Sequence, residues 1–352
     1  MLGGASGCAG FSPQVATYIR TVSISLRPLT GLLLGLFPLV LAAQSPVNPD
    51  ASAEARALLT RLYELPASTL LSGQHEYPHQ YDTAFGYVRG LTDELPVVWG
   101  SDMSNYSGAA GWLRNVTAHA LERHRAGHVV TLMWHARRPH DEGRMSFREN
   151  VQGELTEAQW DSLTTPGTDY HGRWLRQVDT VAHYLAQLRD AGVPVLWRPY
   201  HEMNGGWFWW GARPGPDGYQ ALYRMMYARM VDHHGLDNLL WVWNANGPRD
   251  IPGDRAAPYA DFFPGHDIVD VLATDVYHSD YEQRDYESLL ALAGDKLVAL
   301  GEVGRLPSDA VLDAQPRWRW FLVWDDWIRT HNDPDDIRRV YARDDVLTHG
   351  EW

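Results

Sequence analysis

The sequence predicts an α/β protein folded as one (β/α)8 barrel, a TIM barrel, in a single domain. Three observations carry this. From Ala51 onward, eight short apolar runs rich in Val, Leu and Trp each close on polar residues. The stretches between them repeat apolar residues at helical spacing. No long Ser/Thr/Pro linker, internal repeat or low-complexity tract divides the 352 residues, a length suited to one barrel, since single barrels commonly reach about 250 residues or more.

In chain order the runs are Leu70 to His75, Pro96 to Asp102, His128 to His135, Val193 to Glu202, Leu239 to Asn246, Ile268 to Tyr277, Leu297 to Glu302 and Trp320 to Trp324. Continuous rather than alternating apolar character marks strands covered on both faces, as parallel strands are. Helical period is clearest from Trp174 to Ala191, with Trp174, Val178, Val181, Leu185 and Leu188 on one face, and from Tyr219 to His233, with Tyr219, Leu222, Met226 and Met230. These Met and aromatic stripes read as core. Strands alternating with helices make right-handed βαβ units, and eight of them close a barrel. The stretch from Arg137 to Tyr170 is too long for an ordinary connection and is expected to wall the face above the third strand.

Ahead of the barrel, Arg20 and Arg27 precede an apolar run from Leu29 through Leu41, and Val40-Leu41-Ala42 offers small residues at a cleavage position. Residues 1–42 therefore read as an export signal cut near Ala42, and the product is expected outside the cytoplasm, extracellular or periplasmic. About 13 apolar residues broken by Pro38 fall short of the ~20 needed to span a bilayer, so no stable membrane association is expected. Residues 43–50 read as a flexible lead-in and 51–352 as the barrel. The sole cysteine, Cys8, leaves with the signal, so no disulfide is expected.

The formal net charge of −14 repels phosphate backbones and anionic membranes, so neither nucleic acid nor an anionic surface is an expected partner. The 16 Trp and 17 Tyr, by contrast, supply flat apolar faces with polar edges, on which sugar rings stack. A share of them must be core. The expected ligand is a neutral polysaccharide, bound by a monomer without cofactor or catalytic metal. The 16 histidines include the pairs His75 with His79, His119 with His124 and His233 with His234. None of these makes a recognisable ligand set. A structural calcium among exposed Asp residues stays open.

Barrels carry their chemistry at the C-terminal ends of the strands. Those ends hold Gln74, His75 and Glu76; Asp102; Trp134 and His135; Arg198, His201 and Glu202; Asn244 and Asn246; Asp275 and Tyr277; Glu302; then Trp324, Asp325 and Trp327. Glu202 and Glu302 close the fourth and seventh strands, across the mouth from each other. Breaking a glycosidic bond with retention needs two carboxylates about 5–5.5 Å apart, one protonating the leaving oxygen and the other attacking the anomeric carbon. A salt bridge or cap is the competing reading of any single strand-end Glu.

The tract from Trp197 to Gly211, WRPYHEMNGGWFWWG, resembles the acid/base motif of glycoside hydrolase family 26, whose best-known members are β-mannanases of clan A. Ala299-Leu300-Gly301-Glu302-Val303-Gly304 resembles that family's nucleophile strand, and Asp275-Val276-Tyr277 its sixth-strand motif, in which the Tyr bonds the nucleophile. Trp134-His135, Ser72-Gly73-Gln74-His75-Glu76 and Trp243-Asn244 also sit where the pattern places them, and the resemblance runs from about Ala51 to Asp345. It implies a retaining endo-β-1,4-mannanase of mannan, galactomannan or glucomannan, with Glu202 as acid/base and Glu302 as nucleophile. Trp207 resembles the family's sugar platform.

Chemistry assigns parts beside the resemblance. An apolar wall from Trp207 to Trp210, or the charge of Glu302, would raise the Glu202 pKa; Tyr277 and Arg198 would steady Glu302. His201 and His135 are candidates for sugar hydroxyls, with backbone satisfaction the rival for His201. Trp134, Trp324 and Trp327 are weaker platform candidates, and Asp275 belongs to the substrate-binding set. Glu76 and Asp102 either shape a distant subsite or pair with arginine. A β-glucanase or β-1,3-xylanase of the same family, an exo-acting mannobiohydrolase and a non-catalytic carbohydrate-binding barrel are the alternatives.

Overall fold

The structure, a computed structural model, describes residues 45–104, 111–143 and 145–352. The expected export signal at 1–42 and Cys8 lie outside the described residues. The barrel wall runs β1 (Leu70–Leu71) and β2 (Gly73–His75), β3 (Val98–Asp102), β4 (Val129–Trp134), β5 (Val195–Pro199) and β6 (Leu239–Asn246). After a small hairpin, β7 (Arg249–Ile251) and β8 (Asp254–Ala256), it continues through β9 (Val271–Val276), β10 (Leu297–Val303) and β11 (Trp318–Val323). All wall pairings are parallel. The sequence of neighbours from β2 through β3, β4, β5, β6, β9 and β10 closes when β11 pairs with both β10 and the first strand. With β1 and β2 as two halves of one strand, this is the expected eight-stranded (β/α)8 barrel. The hairpin has no counterpart among the eight expected strands, and neither has β12 (Val346–Leu347), which adds to β1 outside the ring.

The helices are α1 (Ala53–Glu64), α2 (Thr83–Thr92), α3 (Trp112–Arg125), α4 (Glu157–Thr164), α5 (Asp169–Asp190), α6 (Tyr219–Ala228), α7 (Gln283–Ala293), α8 (Asp309–Ala314), α9 (Trp327–Thr330) and α10 (Pro334–Tyr341). Helix α5 buries the stripe expected of it, Trp174, Val178, Val181, Leu185 and Leu188, and Thr168 caps its start by accepting from the His171 backbone N–H. Helix α1 plugs the N-terminal end of the barrel. Its Ala55, Leu59 and Leu62 pack with the inward Leu71, Val98, Leu196, Leu240 and Leu322, each such buried leucine contributing about 1.5–3 kcal/mol. The outer faces of the same strands, with Trp99, Leu132, Trp197, Trp241 and Phe321, pack against the surrounding helices in a second apolar layer.

One segment differs from expectation, and a second is ordered by a helix of its own. The lead-in is docked from Val47, whose N–H donates to Asp270 Oδ1 at 2.7 Å, and Asn48 is buried. The long stretch after β4 is ordered by α4, whose capping box pairs Thr156 with Gln159. It is tied to the loop after β5 by backbone bonds from Gly153 to Trp207 and from Trp209 to Val151.

Candidate active site

Strand phase decides which side chains reach the mouth. On β4 the period of two sends Leu132 and Trp134 to the outer layer and turns His135 inward. On β5 it sends Leu196 and Arg198 in and Trp197 out. On β10, strict alternation would aim Gly301 inward and Glu302 at the helices. A bulge intervenes: Leu300 pairs with outward Thr274, and Glu302 with inward Asp275. Gly301 makes it possible, because a Cβ there would lie 1.7 Å from Asn244 Oδ1.

Glu202 is placed by a different device. Strand β5 ends at Pro199, and Tyr200 and Glu202 both take left-handed backbone, φ 50° and 53°. Such a conformation in non-glycine residues costs about 1–3 kcal/mol each and persists only where neighbours hold it. Here the Trp174 indole donates to Tyr200 Oη at 2.8 Å, the Glu202 N–H donates to the Asn244 carbonyl at 2.8 Å, and the Trp210 indole donates to the His201 carbonyl at 2.8 Å. The Trp207 ring lies against Gly205, where a Cβ would fall 2.1 Å from the indole.

The two carboxylates have unlike partners. Glu302 Oε2 accepts from the Tyr277 hydroxyl at 2.6 Å and Oε1 from Arg198 Nη1 at 3.1 Å, with His201 Nε2 3.7 Å from Oε1. Arg198 Nη1 also donates to Asn244 Oδ1 at 3.0 Å. Glu202 Oε2 accepts from the Trp207 indole at 2.7 Å and Oε1 from the Asn246 amide at 2.9 Å. Burial, and then the charge of Glu302, push the Glu202 pKa up to about 7 against these two donors. Asp275 lies beside Glu302, fully buried; burial and then the charges of Glu302 and Glu202 push it well above the usual carboxylate range.

The cleft above the pair has a volume of about 890 Å³. His201, Glu202, Glu302, Tyr277, Trp207, His135, Trp324 and Trp327 all line it, as expected. His201 packs edge-on to His135, centroids 4.7 Å apart, and burial holds its pKa well below the ordinary histidine value, leaving a neutral ring. Asp102 accepts from His135 Nδ1 at 2.8 Å and from the Ser104 N–H at 2.9 Å. Burial works to raise its pKa, but these contacts hold it low. Beneath Trp324 lies His75, stacked at 4.1 Å and kept neutral by burial, which lowers its pKa to about 3.

Four residues of the expected substrate-binding set stand outside the cleft lining, and for Arg198 and Glu76 the other parts expected above, steadying Glu302 and pairing with arginine, are the ones found. Trp134 packs against Tyr200 in the outer layer, since it is one residue out of phase with His135. Glu76 is a structural anchor: it accepts from Arg123 at 3.0 Å, from the Trp99 indole and from the backbone N–H groups of Ala84 and Phe85 that start α2. Arg198 and Asp275 are fully buried and outside the cleft lining, and Arg198 donates to Glu302. Phe208 supplies part of the apolar wall expected from Trp207 to Trp210, and unforeseen lining residues include Tyr77, Trp112, Phe147 and Arg249. Of the long stretch expected to form a wall, Phe147 supplies the part that faces the cleft.

Among the described residues, His201, Asp275 and Glu302 have ligating atoms within 4.8 Å of one another. Arg198 already donates to Glu302 there, so the protein itself provides the positive charge a cation would bring.

A (β/α)8 barrel with a buried carboxylate pair at its C-terminal mouth is the architecture of a glycoside hydrolase. The sequence profile of glycosyl hydrolase family 26 matches residues 47–351, and the chain belongs to that family. It is 35% identical over 327 residues to a mannan endo-1,4-beta-mannosidase of Thermothelomyces thermophilus, covering 86% of this chain and 62% of the relative, so it spans under two thirds of that protein. Among solved structures, GH26A from Muricauda sp. MAR_2010_75 superposes with a TM-score of 0.84 at 48% identity, covering 87% of this chain and 99% of that one. The Podospora anserina GH26-CBM35 beta-(1,4)-mannanase superposes with a TM-score of 0.73 at 33% identity, covering 87% and 68%.

Proposed function

We propose that this chain hydrolyses internal β-1,4 linkages of mannan, galactomannan or glucomannan by double displacement. The observation that carries the mechanism is the contrast between the two carboxylates. Glu202, whose pKa stands at about 7, keeps a proton to give near neutrality. Glu302 is aimed by Tyr277 and Arg198, which stabilise its negative charge.

In the first step a Glu302 oxygen bonds to the anomeric carbon, the glycosidic C–O bond breaks, and Glu202 delivers its proton to the leaving oxygen. In the second, Glu202 takes a proton from water as that water displaces Glu302. The neutral His201 and the Asp102-held His135 are donors and acceptors for hydroxyls of the sugar being cleaved, and Trp207 is the stacking platform. Mannan as substrate rests on the names of the similar proteins, several of them mannan endo-1,4-beta-mannosidases. Export rests on the Arg20-to-Ala42 pattern.

Assay of the purified protein on mannan, galactomannan, glucomannan, lichenan and β-1,3-xylan is expected to show dominant release from the mannans. Dominant release from either of the last two overturns the substrate assignment. Mannohexaose is expected to give several product sizes, whereas mannobiose alone establishes exo action. Retention is read by NMR of the first-formed anomer. N-terminal sequencing of the exported product is expected to begin near residue 43.

A further inference from the structure

Strand β6 ends at Asn246, and the chain turns directly into the hairpin whose first residue is Arg249. The guanidinium reaches back over the site. Arg249 Nη1 donates to Asn246 Oδ1, its Nε donates to the Asp254 carbonyl at 3.0 Å, and its Nη2 pairs with the Asp254 carboxylate at 2.7 Å. Its central carbon lies 5.4 Å from the centre of the Trp207 ring. The hairpin is fixed in turn: Ala256 bridges to Gly205 beneath Trp207, and the Asn204 side chain bonds the Asn246 and Ala257 carbonyls, each at 2.8 Å. One arginine therefore touches both groups that bond Glu202.

The chemistry of an arginine decides what this contact does. A guanidinium has donors and no acceptor, whereas a carboxamide has one end of each kind. With Arg249 facing it, Asn246 must turn its oxygen to Arg249 and its NH2 to Glu202 Oε1. The other partner of Glu202 is the Trp207 indole, which only donates. Neither neighbour can accept a proton from Glu202. A proton on that carboxyl then has its acceptor in the cleft, where the glycosidic oxygen of a bound chain lies.

We propose that Arg249 is a positioning residue that locks Asn246 as a donor and so keeps the Glu202 proton directed at the leaving group. The inference rests on Glu202 being the acid. Without Arg249 the Asn246 amide is free to rotate by half a turn and accept the Glu202 proton, which stabilises the neutral acid and points its proton away from substrate. The other groups acting on Glu202 are Glu302 from β10, Asp275 and Tyr277 from the β9 end and His135 from the β4 end, all unaltered by the change.

The test compares kcat/KM on mannohexaose, whose sugar leaving group needs a proton, with kcat/KM on 2,4-dinitrophenyl β-mannobioside, whose leaving group does not. Both are measured on one preparation, so the folded fraction cancels. Arg249→Ala is expected to lose about tenfold on mannohexaose and under about twofold on the aryl substrate, a part of the ~10²–10⁴ available to general acid catalysis. The basic limb of its mannohexaose profile is expected to move to higher pH, and Arg249→Lys, still only a donor, to restore both properties.

In an Asn246→Ala background, Arg249→Ala is expected to add nothing. Equal loss on both substrates with an unmoved basic limb overturns the lock, as does an undiminished Arg249→Ala effect in the Asn246→Ala background, which marks a direct charge effect. Glu202→Ala separates this from the underlying assignment. That variant is expected to lose mannohexaose hydrolysis and to keep kcat/KM on the aryl substrate, which reports the first step, while its aryl kcat falls because the second step has lost its base; normal cleavage of mannohexaose refutes Glu202 as the acid.

Discussion

The surroundings of Glu302 and Glu202 share a mouth and differ in nearly every physical respect. Glu302 sits within a strand, turned inward by a bulge, with a buried cation and a phenol on its two oxygens. Glu202 stands past the end of its strand on left-handed backbone, at the N–H edge of a tryptophan, and the groups that bond it are neutral. A formal charge beside one carboxylate and dipoles beside the other are enough to divide one residue type into two tasks.

The largest effect is expected from removing Glu302 itself. Glu302→Ala is expected to lower hydrolysis on the order of 10⁴-fold or more, read as reducing sugar, while leaving polysaccharide binding intact. Intact activity would make the barrel's two carboxylates interchangeable or idle. Next comes pH. With Glu202 at about 7, mannan hydrolysis is expected to fall roughly tenfold per unit well above that pH. The same group sets a stability slope. Its proton is held up to about pH 7 in the fold but released near the ordinary 4.5 in the unfolded chain, so stability falls as pH rises through that window. Relative to Glu202→Ala, the wild type is expected to lose about 2 kcal/mol between pH 5 and 8 in denaturant melts.

Tyr277→Phe takes one charge-assisted bond from Glu302 and is expected to cost about ten- to a hundredfold in kcat, as a bond worth about 1.5–3 kcal/mol implies. The smallest effect on rate belongs to Glu76. Glu76→Gln strips a buried partner from Arg123 and is expected to lower stability by about 3 kcal/mol in a urea melt, with kcat/KM at a permissive temperature nearly unchanged. A selective rise in KM would return Glu76 to the substrate.

How far the sequence could be read follows the same division. Strands were legible because a wall covered on both faces needs unbroken apolar runs, as in Leu239 to Trp243, and the polar residue ending such a run marks the mouth. Glu202, Glu302, Tyr277 and His135 were reachable in this way. Trp134 was misread although alternation alone forbids it and His135 from both facing inward. Glu76 and Arg123 are 47 positions apart, and nothing local announces their pairing. Phe147, Trp112 and Arg249 come to the cleft from loops and helix starts, where direction is set by packing rather than by period. For Arg249 a faint cue exists: a cation three residues beyond a strand-end Asn.

Gly301 has a meaning for anyone reading variant data. It is not among the residues that line the cleft, and it has no side chain to offer the reaction. Yet any side chain there displaces the Asn244 amide, which is bonded to Arg198, and Arg198 holds Glu302. In a saturation library selected for growth on polysaccharide, position 301 would score as intolerant as the carboxylate beside it, so functional intolerance and contact with substrate are separable properties along this strand.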